Sequence, residues 1–232
     1  MEDKIEGTLY IVPTPIGNLE DMTLRAIRIL KEADLVLCED TSVTQKLFNH
    51  YEIDVPTSLF YAQTKLKNVE KIIEMLKEGK KIALVSDAGT PTISDPGVLL
   101  VDKIRTELKD VSIISLPGAS ALTTALSSSG ITSAQFVFLG FLPHKKGRET
   151  LFKEIANSKR TIVFYESVHR IEKTLDSLAE CLSNDRQVVI ARELTKIYEE
   201  VIRGTAEEVK NYFNKKKDKI RGEFVVIVEG IK

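Results

Sequence analysis

The sequence has no tryptophan, two cysteines and three histidines. Cys38 and Cys181 are too few for a disulfide framework, and too far apart for a zinc site, which needs several Cys or His ligands a few residues apart. A reducing compartment is the default for such a chain. No apolar run approaches the ~18 residues that a bilayer-spanning helix requires, so no membrane contact is expected. Met1-Glu2-Asp3-Lys4 has neither the basic start nor the apolar core of a secretory signal, and a cytoplasmic location is expected. The patterns GxGxxG and GxxxxGK[ST] are absent, which removes the dinucleotide fingerprint and the triphosphate-cradling loop. No nucleophile elbow or Ser-His-Asp ordering is visible, so covalent acyl chemistry has no support. A positive excess is also lacking: 33 Lys and Arg stand against 34 Asp and Glu. Partners held by long-range attraction to polyanions usually require such an excess. Any polyanion would have to meet local patches.

What is present is an ordinary globular composition, 43% hydrophobic and 29% charged over 232 residues, enough for one or two domains. Short β-branched runs alternate with segments of helical period, the pattern of a parallel sheet covered by helices. Strands are expected at Thr8 to Val12, Asp34 to Cys38, Lys81 to Val85 and Val111 to Leu116. Thr23 caps a helix bearing Leu24, Ile27 and Leu30. Val69, Ile72, Ile73 and Leu76 form another apolar face, stopped at Gly79. After Pro117-Gly118 comes a small-residue helix, Ala119 to Ser129, then an aromatic run from Phe136 to Leu142. Further strands are expected at Thr161 to Tyr165, Gln187 to Arg192, Glu199 to Ile202 and Glu223 to Val228. Ile171, Leu175, Leu178 and Leu182 share a helix face, and the capping box Thr205-Ala206-Glu207-Glu208 opens a last helix. Closely spaced late strands imply a mixed sheet. The expectation is α/β throughout, in two α/β domains, 1–117 and 118–232, sharing a cleft.

Three strand-end segments are candidates for ligand binding. Ser86-Asp87-Ala88-Gly89-Thr90-Pro91 with Ser94-Asp95-Pro96-Gly97 is long for a connection, and long loops in compact domains are usually functional. Its glycines admit close backbone approach, and its carboxylates suit ribose hydroxyls or an amine. The same residue types also make plain turns. Pro13-Thr14-Pro15-Ile16-Gly17 has two prolines, which remove N–H donors and suit a stiff pocket wall or a rigid turn. Leu116-Pro117-Gly118-Ala119-Ser120-Ala121 runs into a helix whose free N–H groups attract a carboxylate, or whose small residues serve close packing.

Titratable groups collect at other strand ends. Glu39 and Asp40 form a carboxylate pair suited to general-base work or to capping the next helix. Tyr165, Glu166, His169 and Arg170 cluster after one strand, and Arg192, Glu193 and Lys196 after another. His50 and His144 read as surface residues. Lys145, Lys146 and Arg148 form one basic patch, and Lys215, Lys216, Lys217, Lys219 and Arg221 a second. Each is a solvated loop or a local phosphate stripe. Aromatic residues are poorly interleaved with them, which argues against a base-stacking platform.

Assembled in order, these segments resemble the tetrapyrrole methylase superfamily, and within it the branch that methylates small-subunit ribosomal RNA. The matching strings are Leu9 to Asp21, Glu39-Asp40-Thr41, Val85 to Pro91 with Ser94 to Gly97, Pro117 to Ala121, Gly140-Phe141-Leu142-Pro143, Phe164 to Ser167 and Ala191 to Lys196. Two positions depart from the pattern: Ser42, where arginine is expected, and Val168, where proline is expected. The resemblance implies S-adenosylmethionine in a cleft between two α/β domains, a homodimer, and methyl transfer to the 2'-hydroxyl of a cytidine in small-subunit ribosomal RNA or the assembled subunit. It implies cofactor contacts at Pro15, Ile16, Asp87, Ala88, Gly89, Thr90, Ser120, Ala121, Tyr165, Glu166 and Leu194. Placement at strand ends nominates Glu39, Asp40, Glu166 or Lys196 to assist catalysis. For RNA it nominates Lys145, Lys146, Arg148, Arg170, Arg192, Lys215, Lys216 and Lys217. No metal is implied. The rivals are a tetrapyrrole C-methyltransferase of the same fold, and a non-catalytic RNA-binding assembly module.

Overall fold

The computed structural model describes residues 7–61 and 66–231. The chain divides into a first unit that ends at Ser120 and a second that starts at Ala121.

In the first unit, strands β1 (Thr8–Ile11), β2 (Leu35–Cys38), β3 (Thr57–Leu59), β4 (Lys81–Leu84) and β5 (Ser112–Ser115) form one sheet in the order β3-β2-β4-β1-β5. Every pairing is parallel, so the sheet must be covered on both faces. Helices α1 (Leu24–Glu32) and α2 (Thr41–Tyr51) cover one face, where Ala26, Ile29, Leu30, Leu47 and Phe48 meet Val36, Cys38 and Ala83. On the other, α3 (Leu66–Lys77) and α4 (Val98–Glu107) bring Ile72, Ile73, Leu76, Leu100 and Ile104 onto Leu9, Leu37, Ile82 and Leu84. The alternation Ile82, Ala83, Leu84 feeds the two cores in turn, as the period of two in a strand requires. Thr23 caps α1, its side chain accepting from the Ala26 amide at 3.0 Å.

β1 connects to β2 across β4, and β4 connects to β5 across β1. The two connections leave neighbouring strands in opposite directions, and this reversal places the ligand crevice of a parallel sheet at the carboxyl ends of β1 and β4.

The second unit is mixed. Strands β6 (Phe136–Phe141), β7 (Thr161–Ser167), β8 (Gln187–Arg192), β9 (Glu200–Thr205) and β10 (Glu223–Val228) lie in the order β6-β7-β10-β8-β9. β6 and β7 are parallel and the other pairs antiparallel. Helices α6 (Arg148–Asn157), α7 (Ile171–Cys181) and α8 (Ala206–Lys215) enclose Phe164, Ile190, Val226 and Val228 on one face. The small-residue helix α5 (Ala121–Ser129) packs against β8, β9 and β10. The capping box at Thr205 and Glu208 is formed on both sides.

Three helices lie where periodicity gave no signal. In α4, Val98 and Leu99 are exposed while Leu100 and Ile104 are buried, so its apolar residues do not trace a single stripe. α2 buries Thr44 beside Leu47 and Phe48, and α6 buries only Phe152 and Ile155. The short edge strand β3 was also not anticipated.

Candidate active site

At the crevice of the first unit, the loops after β1 and β4 are joined. The Thr14 amide donates to the Gly89 carbonyl at 2.9 Å, and the Gly89 amide returns a bond to Thr14 at 3.0 Å. The Thr14 hydroxyl donates to the Ser86 carbonyl at 2.9 Å. Gly89 holds φ +82, and a Cβ there would lie 3.3 Å from Ile16 Cγ2. The position thus keeps backbone and Ile16 in close approach, in the left-handed region that favours glycine. The Thr90 hydroxyl donates to the Ala119 carbonyl at 3.1 Å, tying in the segment after β5. Pro15, Ile16, Asp87, Ala88, Gly89, Thr90 and Ser120 thus belong to one connected rim at the carboxyl end of this sheet.

Two expected carboxylates part company here. Asp40 caps α2: its Oδ1 accepts from both the amide and the hydroxyl of Ser42 at 2.7 Å. These bonds hold the Asp40 carboxyl below its ordinary range. The Ser42 hydroxyl adds a second bond to that cap. Of the two roles expected for Asp40, general base or helix cap, the described bonds form the cap, through Oδ1. Glu39 has no such duty. Burial, a hydrogen bond with Asp95, and the charges of Asp95 and Asp87 raise its carboxyl from 4.5 to about 7. Asp87 is itself raised, first by burial, and accepts from the Asp40 amide at 3.2 Å. Asp95 belongs to the loop after β4, and its partnership with Glu39 carries no local sequence signal. Raised carboxyls in a crevice mark candidate functional sites.

In the second unit, Tyr165 and the start of α5 come together: the Leu122 amide donates to the Tyr165 phenol, although burial dominates and raises that phenol. Phe138 and Phe141 meet its ring edge-on at 4.9 and 5.4 Å. Leu194 is buried, between Glu193 at φ 51 and Thr195 at φ 65. Left-handed backbone at two non-glycine residues in one turn is strain of the kind found at ligand clamps.

Glu166 points into the protein. Its side chain is 0% exposed and pairs with Arg170 Nε at 2.8 Å and Arg148 Nη2 at 3.4 Å. The Thr174 hydroxyl donates to the same carboxylate at 2.7 Å. Arg170 Nη1 continues to the Leu142 carbonyl at 2.7 Å and Arg148 Nη1 to the Pro143 carbonyl at 3.2 Å. The Gly-Phe-Leu-Pro string is therefore clamped to the end of β7. Both oxygens of Glu166 are thus engaged, and Arg148 and Arg170, expected on phosphates, bond here to Glu166 and to the Gly-Phe-Leu-Pro carbonyls.

The remaining nominations sort by partner. Lys196 Nζ bonds Glu223 at 2.8 Å and Glu193 at 3.1 Å. Burial works against its charge, yet these two bonds raise the ammonium, so it stays protonated and is corrected as a base. Arg192 is 5% exposed and donates to Glu200 at 3.1 Å. Burial alone would raise Glu200, but Lys219, Tyr212 and Arg192 together lower it to about 2. Lys217 pairs with Glu172, and Lys216 lies 4.5 Å from the Tyr212 ring centroid. Lys145, Lys146 and Lys215 are exposed and form no ion pair among the described residues. His50, His144 and His169 are exposed. Among the described residues, no group of three or more His, Cys, Asp and Glu could hold a metal ion.

The model of the Tetrapyrrole (Corrin/Porphyrin) Methylases matches residues 8–210. A Ribosomal RNA small subunit methyltransferase I from Bacillus subtilis (strain 168) is 50% identical over 227 residues, covering 97% of this chain and 75% of the relative. The chain belongs to this methyltransferase family. Its namesake from Thermotoga maritima is 47% identical over 224 residues, 97% of this chain and 99% of the relative. Among solved structures, uroporphyrin-III C-methyltransferase from Thermus thermophilus, complexed with S-adenosylhomocysteine, superposes with a TM-score of 0.63 at 20% identity. It covers 96% of this chain and 97% of its own, and shares the fold.

The rim of the first unit fits the methyl donor of this family. Asp87 supplies a carboxylate for hydroxyl or ammonium groups, and Gly89 leaves backbone, not side chain, at the crevice. Gly118 protects the same rim: a Cβ there would sit 2.6 Å from Pro13 Cβ and 2.9 Å from its Cγ. Pro13 is rigid and cannot swing aside. Gly118→Ala is therefore expected to displace the Pro13 to Ile16 wall, destabilising the protein by ~1–3 kcal/mol and weakening S-adenosylmethionine binding. Calorimetric titration on folded variant checks this, and unaltered affinity would show that the wall does not touch the donor.

Proposed function

We propose that this chain transfers the methyl group of S-adenosylmethionine to the ribose 2'-hydroxyl of a cytidine in small-subunit ribosomal RNA, with Glu39 as the group that takes the hydroxyl proton. The observation that carries the substrate class is the near full-length identity, 50% and 47%, with relatives named for methylating that RNA. The observation that favours Glu39 is its place at the carboxyl end of β2 with a carboxyl at about 7, where a group can both hold and release a proton near neutrality.

When bound, S-adenosylmethionine supplies a methyl on a positively charged sulfur that leaves readily. The chain has to hold the ribose oxygen in line with that methyl and keep water away, an orientation effect of up to ~7–11 kcal/mol for well-held reactants. With the donor in place, Glu39 would take the proton that the ribose hydroxyl gives up. Asp87 to Thr90 and Pro15-Ile16, joined through the Thr14–Gly89 bonds, are the part of the first unit that would hold the donor. Of the lysines nominated for RNA, Lys145, Lys146 and Lys215 are exposed without a described ion pair and are available to phosphates.

The ribosomal substrate implies a cytoplasmic place of action, and among the described residues no helix is long and apolar enough to cross a membrane. The proposed assembly is a homodimer, as in the family pattern, and sedimentation velocity checks it. The decisive experiment incubates the full chain with methyl-labelled S-adenosylmethionine and either assembled small subunits or free RNA lacking the modification. Label is expected in a 2'-O-methylcytidine. Donor binding with no label in RNA but label in a tetrapyrrole would replace this reading with carbon methylation, and no donor binding would leave a non-catalytic module.

A further inference from the structure

The connection between β8 and β9 presents Ile197 at 95% exposure and Tyr198 at 61%, adjacent apolar side chains in water with no apolar partner described. The connection is not loose. The Lys196 amide donates to the Glu193 carbonyl and the Glu199 amide to the Lys196 carbonyl, each at 3.0 Å, and the Thr195 amide bonds the Glu199 carboxylate. Lys196 ties it to Glu223 on β10. Beneath it, Arg192 Nη1 and Thr195 Oγ1 are buried without a hydrogen-bond partner among the described residues.

Arg221, distant in sequence, comes over the Tyr198 ring with Cζ 5.8 Å from the centroid. Its Nε donates to the Asp218 carbonyl at 2.6 Å, which fixes the guanidinium. Arg221 is exposed and takes part in no ion pair among the described residues. The acidic residues of the turn have partners other than Arg221: Glu193 and Glu223 meet Lys196, Glu199 accepts from the Thr195 amide, and Glu200 meets Arg192, Tyr212 and Lys219. The tip therefore joins an aromatic face, an aliphatic edge and an uncompensated guanidinium, at the sheet end that also carries Tyr165 and Leu194. Nucleobases stack on aromatic and guanidinium planes, and the adjacent phosphate pairs with the cation.

We propose that Tyr198, backed by Arg221 and edged by Ile197, is a stacking platform for an unpaired base of the RNA substrate. The proposal deepens the RNA reading above and rests on it for the class of ligand. Charge complementarity selects the occupant: RNA carries a phosphate beside every base, and Arg221 is exposed with no ion-pair partner among the described residues.

The test uses the full chain with S-adenosylhomocysteine and a single-stranded RNA oligonucleotide carrying 2-aminopurine, together with methyl transfer to assembled small subunits. Wild-type chain is expected to quench the 2-aminopurine on binding. Tyr198→Ala should weaken binding by about 5- to 100-fold, abolish the quench and raise the KM for the particle, with the KM for S-adenosylmethionine unchanged. Tyr198→Phe, which keeps the ring, should restore all of these, and Arg221→Ala should give a smaller loss. Binding and quenching by Tyr198→Ala indistinguishable from wild type would overturn the platform. So would conversion of a wild-type dimer to a monomer by Tyr198→Ala, which would make the tip a subunit contact. Tyr198-dependent quenching without methyl transfer to RNA would keep the platform and remove the proposed reaction. Failure of the wild-type chain to bind the oligonucleotide, with methyl transfer to the particle intact, would overturn the platform and leave the proposed reaction standing.

Discussion

Glu39→Gln is expected to lower kcat by ~10²–10⁴-fold, the usual contribution of a positioned general base, while leaving S-adenosylmethionine binding nearly intact. The pH dependence separates this from damage to the fold. In the wild-type chain kcat should climb as pH rises through about 7, where Glu39 gives up its proton. In the variant that limb should vanish. Stability carries the opposite sign. Burial, then Asp95 and Asp87, raise the carboxyl from 4.5 to about 7, so between these values the folded state keeps a proton that the unfolded state has lost. The wild-type chain is therefore most stable below the lower value and loses stability until the upper one. Glutamine does not titrate, so above pH 7 the variant should be the more stable, by ~1–2 kcal/mol after discounting for solvent around a partly exposed carboxyl. A variant that is stable and keeps wild-type kcat would remove Glu39 from the chemistry.

Glu166→Ala should be the most damaging single change to stability. It strands two guanidiniums, Arg148 and Arg170, that are 15% exposed and paired to a carboxylate that is 0% exposed. Breaking a buried pair from one side costs about 3–5 kcal/mol, because the charges left behind are neither hydrated nor paired. The melting transition should fall by ~10 °C or more. Calorimetry measures this, and a loss under ~1 kcal/mol would show that Arg148 and Arg170 swing out to water. Glu166→Gln should fall between, since the amide oxygen still accepts from Thr174 but the charge is gone.

These two carboxylates illustrate what could be read from the chain alone. Both end apolar strands, both are followed by polar residues, and pattern alone gave them the same role. What separates them lies elsewhere in the sequence: Asp95 beside Glu39, and Arg148 and Thr174 beside Glu166. Strands such as Gln187–Arg192 and Glu223–Val228 were legible to the residue, since buried β-branched runs have few alternative uses. The capping box at Thr205 was legible because cap and partner are neighbours. Helix α4 was not, because Val98 and Leu99 face water where a stripe would require polar residues. The ligand loops were visible through glycine and proline, whose backbone constraints are local. The direction of an arginine is decided by partners that only folding supplies, and so Arg192 was read as a phosphate ligand. Likewise Tyr198 and Arg221 gave no sign of pairing, and a stacking platform was set aside.

The order of strands in the second sheet bears on how the chain is made. Its central strand, β10, is the last of the unit to be synthesised, with β7 on one side and β8 on the other. The first sheet possesses all its strands once β5 has left the ribosome. The second keeps an edge of β7 and an edge of β8 without their partner until Glu223–Val228 emerges, so its pairing is completed by long-range contacts made late in synthesis.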